Sequence, residues 1–586
     1  MSDLKRFVAA AQGKTEFDLL ITGCEVVNVF TSTIQKQDIG IVEDTIVAVG
    51  DLVNYPTKKT IHADGLTALP GFIDTHMHVE SSMLTPANFA KVVLQNGTTS
   101  CAADPHEIAN VLGIEGVKAL INAGKDLPLH IYFYAPSTIP SAPGYETSGY
   151  QVGSEEMDQF MNTDGIYGLG EVMDFNGVVN GEVLILSVIN QAKKYNAILD
   201  GHVPLLMDEK LQAFRAVGID SDHCVNNVEK LLQEQALGFT TEVQGHNLSK
   251  EIVEVMNSIE NNNRLCICTD DVSLTILLNH GHLNYAVEQA IELGLDPIKA
   301  IRFTTINPAD RMRLYDTGAI VPGRKADIQL VKDIRHPYPT TVLSRGNIVV
   351  EDSKYVGENI ENTFPEFVYH SVELDPLTLE DLCASFENPT SIKEGHVIAN
   401  TMKVSGGVFQ TSHTTNELPF HTIDNTSIID YEGFVKMIIF NRHGIHQHAY
   451  SFIEKLGDIH GAVAITYGHD SHNLTLYGSN DEDLLVAANT VIGSQGGFAA
   501  VQDGKVLSHV PLPIEGLLSE ESPEHLQKEA DHFRECCKKM GFDLHDPLYF
   551  FTFMPLAVCP DIRCTDKGLL DVIKKEFIPL IVEIKE

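Results

Sequence analysis

Between residue 65 and about residue 312, short apolar runs of strand length alternate with longer windows of helical period. The runs are "GFIDTHMH", "TTSCAAD", "LHIYFYAP", "IYGLGEV", "NAILDGHVP", "GIDSDHC", "LGFTTEVQ" and "RLCICTDD", and segments such as "GEVLILSVINQAKKY" and "DEKLQAFRAV" lie between them. Eight strand candidates in alternating βα units over about 250 residues predict an α/β fold, a (β/α)8 TIM-type barrel. Residues 18 to 64 read differently, as short β segments: "DLLITGCEVVNVF", "DIGIVEDTIVAVG" with a turn at Glu43 and Asp44, and "KTIHADG". β character returns after the barrel in "YDTGAIVPGRKADIQLV" and "TVLSRGNIVVEDSK", so a small β-sandwich or meander built from both barrel flanks is expected. Further on, the strands "GHVIANTMKV" and "GAVAITYG" and the helices "DEDLLVAANTVIG" and "PEHLQKEADHFRECCKKM" predict a separate C-terminal α/β domain. The expected division is 1–64 and 313–364 for the β domain, 65–312 for the barrel and 365–586 for the C-terminal domain. The acidic stretch "EGLLSEESPEHLQKEADHFRE" reads as a solvated helical face.

Composition narrows the function classes. The chain has 586 residues, 43% of them hydrophobic and 21% charged, which suits a globular protein with a sizeable core. Forty-one basic against eighty acidic residues leave a formal net charge of −39, which repels phosphate backbones and anionic membrane surfaces. A small molecule is therefore the expected partner, with no nucleic-acid polymer and no membrane; homo-oligomerisation stays open. The start, "MSDLKRFVAAAQGKTEFDLL", lacks a signal-type apolar core, and no run approaches the ~18 apolar residues of a membrane span, so a cytoplasmic location is expected. Ten cysteines without framework spacing, Cys266 with Cys268 and Cys536 with Cys537 among them, read as reduced thiols.

Candidate chemistry sits at the strand ends. Residues two apart in a strand point to the same side, so His76 and His78 can reach one metal ion. Glu171 closes "IYGLGE", His202 closes "NAILDGH", His223 closes "GIDSDH" and Asp270 closes "LCICTD". Each alone has an ordinary explanation, a surface histidine or a helix-capping aspartate. Barrel active sites form where strands end, and four histidines and two carboxylates in strand order make a two-metal constellation that Glu171 can bridge through both oxygens.

"PGFIDTHMHVESSM" with "NPADRMRLYDTGAIVPGRKADI" resembles the amidohydrolase superfamily, whose metal-dependent hydrolases combine a (β/α)8 barrel with a β-sandwich from both flanks. More narrowly, "HVESSM", "DPHEIANV", "GLGEVMD", "DGHVP", "SDHC", "CTDD", "NRHG", "HDSHN" and "DIRCTDKGL" are similar to the adenine deaminase family, from about residue 17 to 585. The resemblance implies hydrolysis of adenine to hypoxanthine and ammonia at two divalent ions, iron or manganese. It implies His76 and His78 on the first metal, Glu171 bridging, His202 and His223 on the second, and Asp270 on the first metal as the group that moves the proton. Many superfamily members bridge with a carboxylated lysine; Glu171 stands there instead, against a dihydropyrimidinase or dihydroorotase. Where the family carries Arg-Glu-Gly-Ser after strand seven, this chain has Val243, Gln244, Gly245, His246 and Asn247, which leaves substrate choice open.

The acid that protonates the purine ring is open between Glu80, expected on the strand face of His78, and Glu107 beside His106. A role in orienting a ligand histidine is the alternative for both. Asp271 should point away from Asp270 by strand alternation. His443, His469 and His472 offer either a further metal site or a polar cluster that holds turns together. Another amidohydrolase acting on a cyclic amide or a related aminopurine, and a catalytically retired scaffold, are the other functional readings.

Overall fold

The computed structural model describes residues 4–361, 363–388, 392–423, 426–454 and 456–585. They divide into two compact units: Met1–Pro105 with Leu120–Ser137 and Gly153–Thr363, and His106–Ala119 with Thr138–Val152 and Phe364–Glu586.

In the first unit, eight parallel strands occupy the eight expected runs: Phe72–Met77, Thr98–Ala103, His130–Ala135, Ile166–Val172, Ile198–Gly201, Ser221–Asp222, Thr240–Gln244 and Leu265–Cys268. The first five pair side by side, as do the last three. A parallel bridge between Met77 and Asp270 joins the first strand to the end of the eighth. The fifth and sixth meet without a ladder at Gly201, where an added Cβ would lie 2.3 Å from the Ser221 carbonyl oxygen, so only glycine allows that approach.

Local chemistry explains the alternation. Phe72–Met77 and Thr98–Ala103 are buried at every position, as parallel strands covered on both faces must be. The helix Val183–Lys194 buries Ile185, Val188, Ile189 and Ala192, one face at helical spacing. Asn227 caps Val228–Leu237 by accepting from the Lys230 N–H, and Gly238, at φ +75°, ends that helix.

The strands of both flanks join one nine-stranded sheet. Its seam is Thr67–Pro70, antiparallel to Ile328–Asp333, so the residues just before the barrel belong to this sheet rather than to the barrel region where the hydrophobic pattern placed them. Leu19, Ile21, Val26, Ile39, Ile41, Ile328 and Leu330 form its core.

The second unit is built on an eleven-stranded sheet. Helix Asp481–Gly493 lays Leu484, Ala487, Ala488 and Val491 on Ile438, Ala464, Leu476 and Ala499 of that sheet. In Pro523–Lys539, Leu526, Ala530, Phe533 and Cys537 are buried while Glu524, Asp531 and Glu535 face solvent, so the expected solvated helical face holds there, but residues 515–519 at the start of that stretch are buried and outside any helix. The ten cysteines are all free, and among the described residues no helix is long and apolar enough to cross a membrane.

Candidate metal centre

The six residues expected as ligands converge in the first unit. His76 lies in the first strand and His78 just past it, both at most 2% exposed. His76 Nδ1 is 2.8 Å from Asp200 Oδ2 and its Nε2 is 3.5 Å from Asp270 Oδ1. His78 Nδ1 donates to the Asp104 carbonyl at 2.9 Å, which turns its Nε2 towards Asp270 Oδ1 at 3.1 Å and Glu171 Oε1 at 3.6 Å.

Glu171, in the fourth strand, divides its carboxylate. While Oε1 faces His78, Oε2 lies 2.6 Å from His202 Nδ1 and 3.1 Å from His223 Nε2. Its backbone is fixed as well, the N–H donating to Asp104 Oδ2 at 2.8 Å and the carbonyl accepting from the Ser137 hydroxyl. The His223 ring stacks on His76 with centroids 3.8 Å apart.

Burial raises the Glu171 carboxyl, but the imidazoles of His202 and His223 outweigh it and hold the group well below the usual carboxylate range. The same balance applies at Asp270, where burial is outweighed by the nearby imidazoles of His76 and His78. Both carboxylates are thus ionised, as metal ligands must be. His76 Nε2 and His223 Nδ1 are buried without a hydrogen bond in the structure. Donor atoms of His76, His78 and Asp270 lie within 4.8 Å of one another, as do those of His76, Asp200 and His223. The orphaned His76 Nε2 facing the ionised Asp270, within a set of imidazoles and carboxylates, fits divalent transition ions, which bind these donors.

Asp270 has φ +58°, in the left-handed region that a non-glycine residue enters at a cost of about 1–3 kcal/mol. Asp271 points elsewhere: it is exposed and accepts from the Ser81 hydroxyl. Glu80 is fully buried but not on a strand face, because the chain turns at once into a 3-10 helix, Val79–Ser82, closed by Met83 at φ +58° and by the Ser82 hydroxyl donating to the Val79 carbonyl at 2.6 Å. Alternation counted from His78 therefore fails at Glu80.

Three neighbours were not anticipated as site residues. Asp200 holds His76, and the rule that joined His76 to His78 also joins Asp200 to His202 in the fifth strand. Cys224 Sγ is 3.4 Å from His202 Nδ1. Gln244, noted only as a departure from the family pattern, donates its side-chain amide to Asp270 Oδ2 and is braced by Asn247, whose amide donates to Gln244 Oε1 at 2.7 Å.

His106, Glu107, His443, His469 and His472 all belong to the second unit. Glu107 is paired there with His469 and His472, and its Oε1 is 3.3 Å from His106 Nε2. His443 stands apart from this group, its Nε2 donating to the Ser471 carbonyl at 3.0 Å. Burial, the Arg442 charge and His472 push the His443 imidazole down to about 3.

Comparison with known proteins bears on the whole length. The family model for the amidohydrolase family matches residues 67–352, and that for the adenine deaminase C-terminal domain matches residues 410–576. A Moorella thermoacetica protein named adenine deaminase is 36% identical over 587 residues, covering 98% of each chain. A Lysinibacillus sphaericus adenine deaminase is 32% identical over 576 residues, also covering 98% of each. Among solved structures, a D-hydantoinase is 17% identical with a TM-score of 0.44, over 58% of this chain and 97% of its own. With a third of its residues shared end to end with such relatives, the chain belongs to the adenine deaminase family, within the amidohydrolases.

Proposed function

We propose that this protein hydrolyses adenine to hypoxanthine and ammonia in purine salvage. The reading is carried by one observation, the Glu171 carboxylate shared between His78 on one side and His202 with His223 on the other, in a chain whose full-length relatives are named adenine deaminases. His76, His78 and Asp270 would hold one divalent ion and His202 and His223 a second, with Glu171 common to both, manganese or iron being the ions of choice. Such ions supply Lewis acidity that brings the pKa of water towards neutrality.

The chain's own groups do the rest. Asp270 takes a proton at Oδ2, the oxygen not engaged with His76 and His78, and delivers it to the departing amine. The Gln244 amide fixes the direction of that oxygen. Asp200 keeps the His76 ring in one orientation through Nδ1. Glu80, fully buried two residues past His78, is our choice for the acid that protonates the ring as C6 becomes tetrahedral. The nine-stranded sheet corresponds in this reading to the family's small β-sandwich, with functional regions at 1–64 and 313–364, 65–312 and 365–586, except that Thr67–Pro70 go with the sheet and 106–119 and 138–152 with the last region.

The test is ammonia release from manganese-loaded protein given adenine, adenosine, hydantoin or dihydroorotate. Adenine should be the best substrate. Faster turnover of adenosine, or of either cyclic amide, overturns the assignment.

A further inference from the structure

We propose that the second unit carries a metal site of its own, in which His106 Nε2, Glu107 Oε1, His469 Nδ1 and Asp470 Oδ1 bind a divalent transition ion of zinc's chemical class. Helix His106–Gly124 supplies the first two donors from its first turn, and the loop 468–473 between strands Ala462–Ile465 and Leu474–Gly478 supplies the others. Donor atoms of the four residues lie within 4.8 Å of one another, and no residue of the four is more than 5% exposed.

Two of the donor spacings suit an ion, while the third pair, Glu107 Oε1 with His469 Nδ1, is in direct contact and would have to open for both to bind it. With metal–ligand bonds of about 2.0–2.1 Å, the edge of a tetrahedral donor set is about 3.3 Å. His106 Nε2 to Glu107 Oε1 is 3.3 Å, and His469 Nδ1 to Asp470 Oδ1 is 3.3 Å. Both exceed the ~2.7–2.9 Å of a charge-assisted hydrogen bond. Asp470 Oδ2 is buried with no hydrogen bond in the structure, and a buried carboxylate oxygen in that state is costly without a cation.

The surroundings hold the donors in place. His472 Nε2 pairs with Glu107 Oε2, which leaves Oε1 for the site. Phe553 stacks on the His469 ring at 4.5 Å and 4°, fixing its plane. Two imidazoles with two carboxylates favour zinc, iron or manganese over calcium or magnesium, which prefer all-oxygen shells. Bound there, the ion would tie the 468–473 loop to the start of the helix.

The experiment is metal analysis of the full chain, loaded with zinc and dialysed, for wild type, Glu107→Gln and Asp470→Asn, with Glu171→Gln as a separate control. Each of the first two variants should bind about one equivalent less per chain than wild type, and the difference should persist in the Glu171→Gln background. Metal content equal to wild type in both variants overturns the site. So does a Glu107→Gln variant whose only change is a raised KM for adenine, which would make Glu107 a substrate-binding group. Should both variants fail to fold, zinc-edge anomalous scattering from wild-type crystals decides: a peak among the four donors supports the site, and its absence overturns it.

Discussion

Glu171 touches imidazoles through both oxygens, so a change there should be read in metal content before it is read in rate. Glu171→Gln keeps the volume and removes the charge; metal analysis should show loss of bound ions together with loss of turnover, and a variant with full metal and full activity would exclude the bridge. Asp270→Asn is a different experiment. It preserves shape and one coordinating oxygen but cannot take the proton, so kcat should fall by about 10²–10⁴ while the thermal midpoint stays near wild type. Asp271→Asn should be far milder, since Asp271 is exposed and occupied by Ser81. If the two effects came out reversed at equal metal loading, Asp271 would be the proton carrier. Gln244→Leu removes the amide that steers Asp270 Oδ2, a hydrogen bond to a charged group worth about 1.5–3 kcal/mol, so kcat should drop roughly ten- to a hundredfold at unchanged metal content.

At the scale of strands and loops, Gly201 is a close-contact point. A methyl group there would meet the Ser221 carbonyl, forcing the fifth and sixth strands apart and costing about 1–3 kcal/mol. Gly201→Ala should therefore lower the urea midpoint, and it should weaken metal retention too, because His202 and His223 ride on those strand ends. His282 gives the barrel a pH dependence. Burial pushes its imidazole from 6.5 down to about 3, so below about pH 6.5 the unfolded chain takes up a proton that the folded chain refuses. Stability should fall as pH drops through that window, and His282→Gln should shrink the difference between urea midpoints at pH 7 and pH 5.

The eight barrel strands were legible because doubly covered strands are uninterrupted apolar runs with turn signals at each end, and His76 and His78 because period-two spacing survives to the end of a strand. Glu80 was misplaced because the 3-10 turn at Val79–Ser82 depends on a serine-to-carbonyl bond that hydrophobic periodicity does not register. Asp200 went unnoticed because one acid inside a strand looks like any polar residue until its partner is known. His106 and Glu107 were set apart from His469 and His472 because more than 350 residues separate them, and spacing carries no information over that length.

For the molecule as a whole, the decisive feature is that its two compact units interleave in the chain. Segments 106–119 and 138–152 lie between barrel strands yet are grouped with residues 364–586. A chain ending near Pro365 would leave Ile108, Val111, Val117 and Ile139 without their unit's core. We expect it to aggregate or bind a hydrophobic dye strongly; a monodisperse truncation with the thermal midpoint of the full chain would count against this. The same interleaving sets a schedule for synthesis. At about 5–20 residues per second, the ribosome needs roughly 20 to 90 seconds to pass from residue 152 to the end. In the last part of that interval, after residue 312, the barrel's sequence is already outside while two of its inter-strand segments still await their partners. Nascent chains of this protein should therefore occupy chaperones until termination, and release from the ribosome, rather than completion of the eighth strand, should be the moment at which they become protease-resistant.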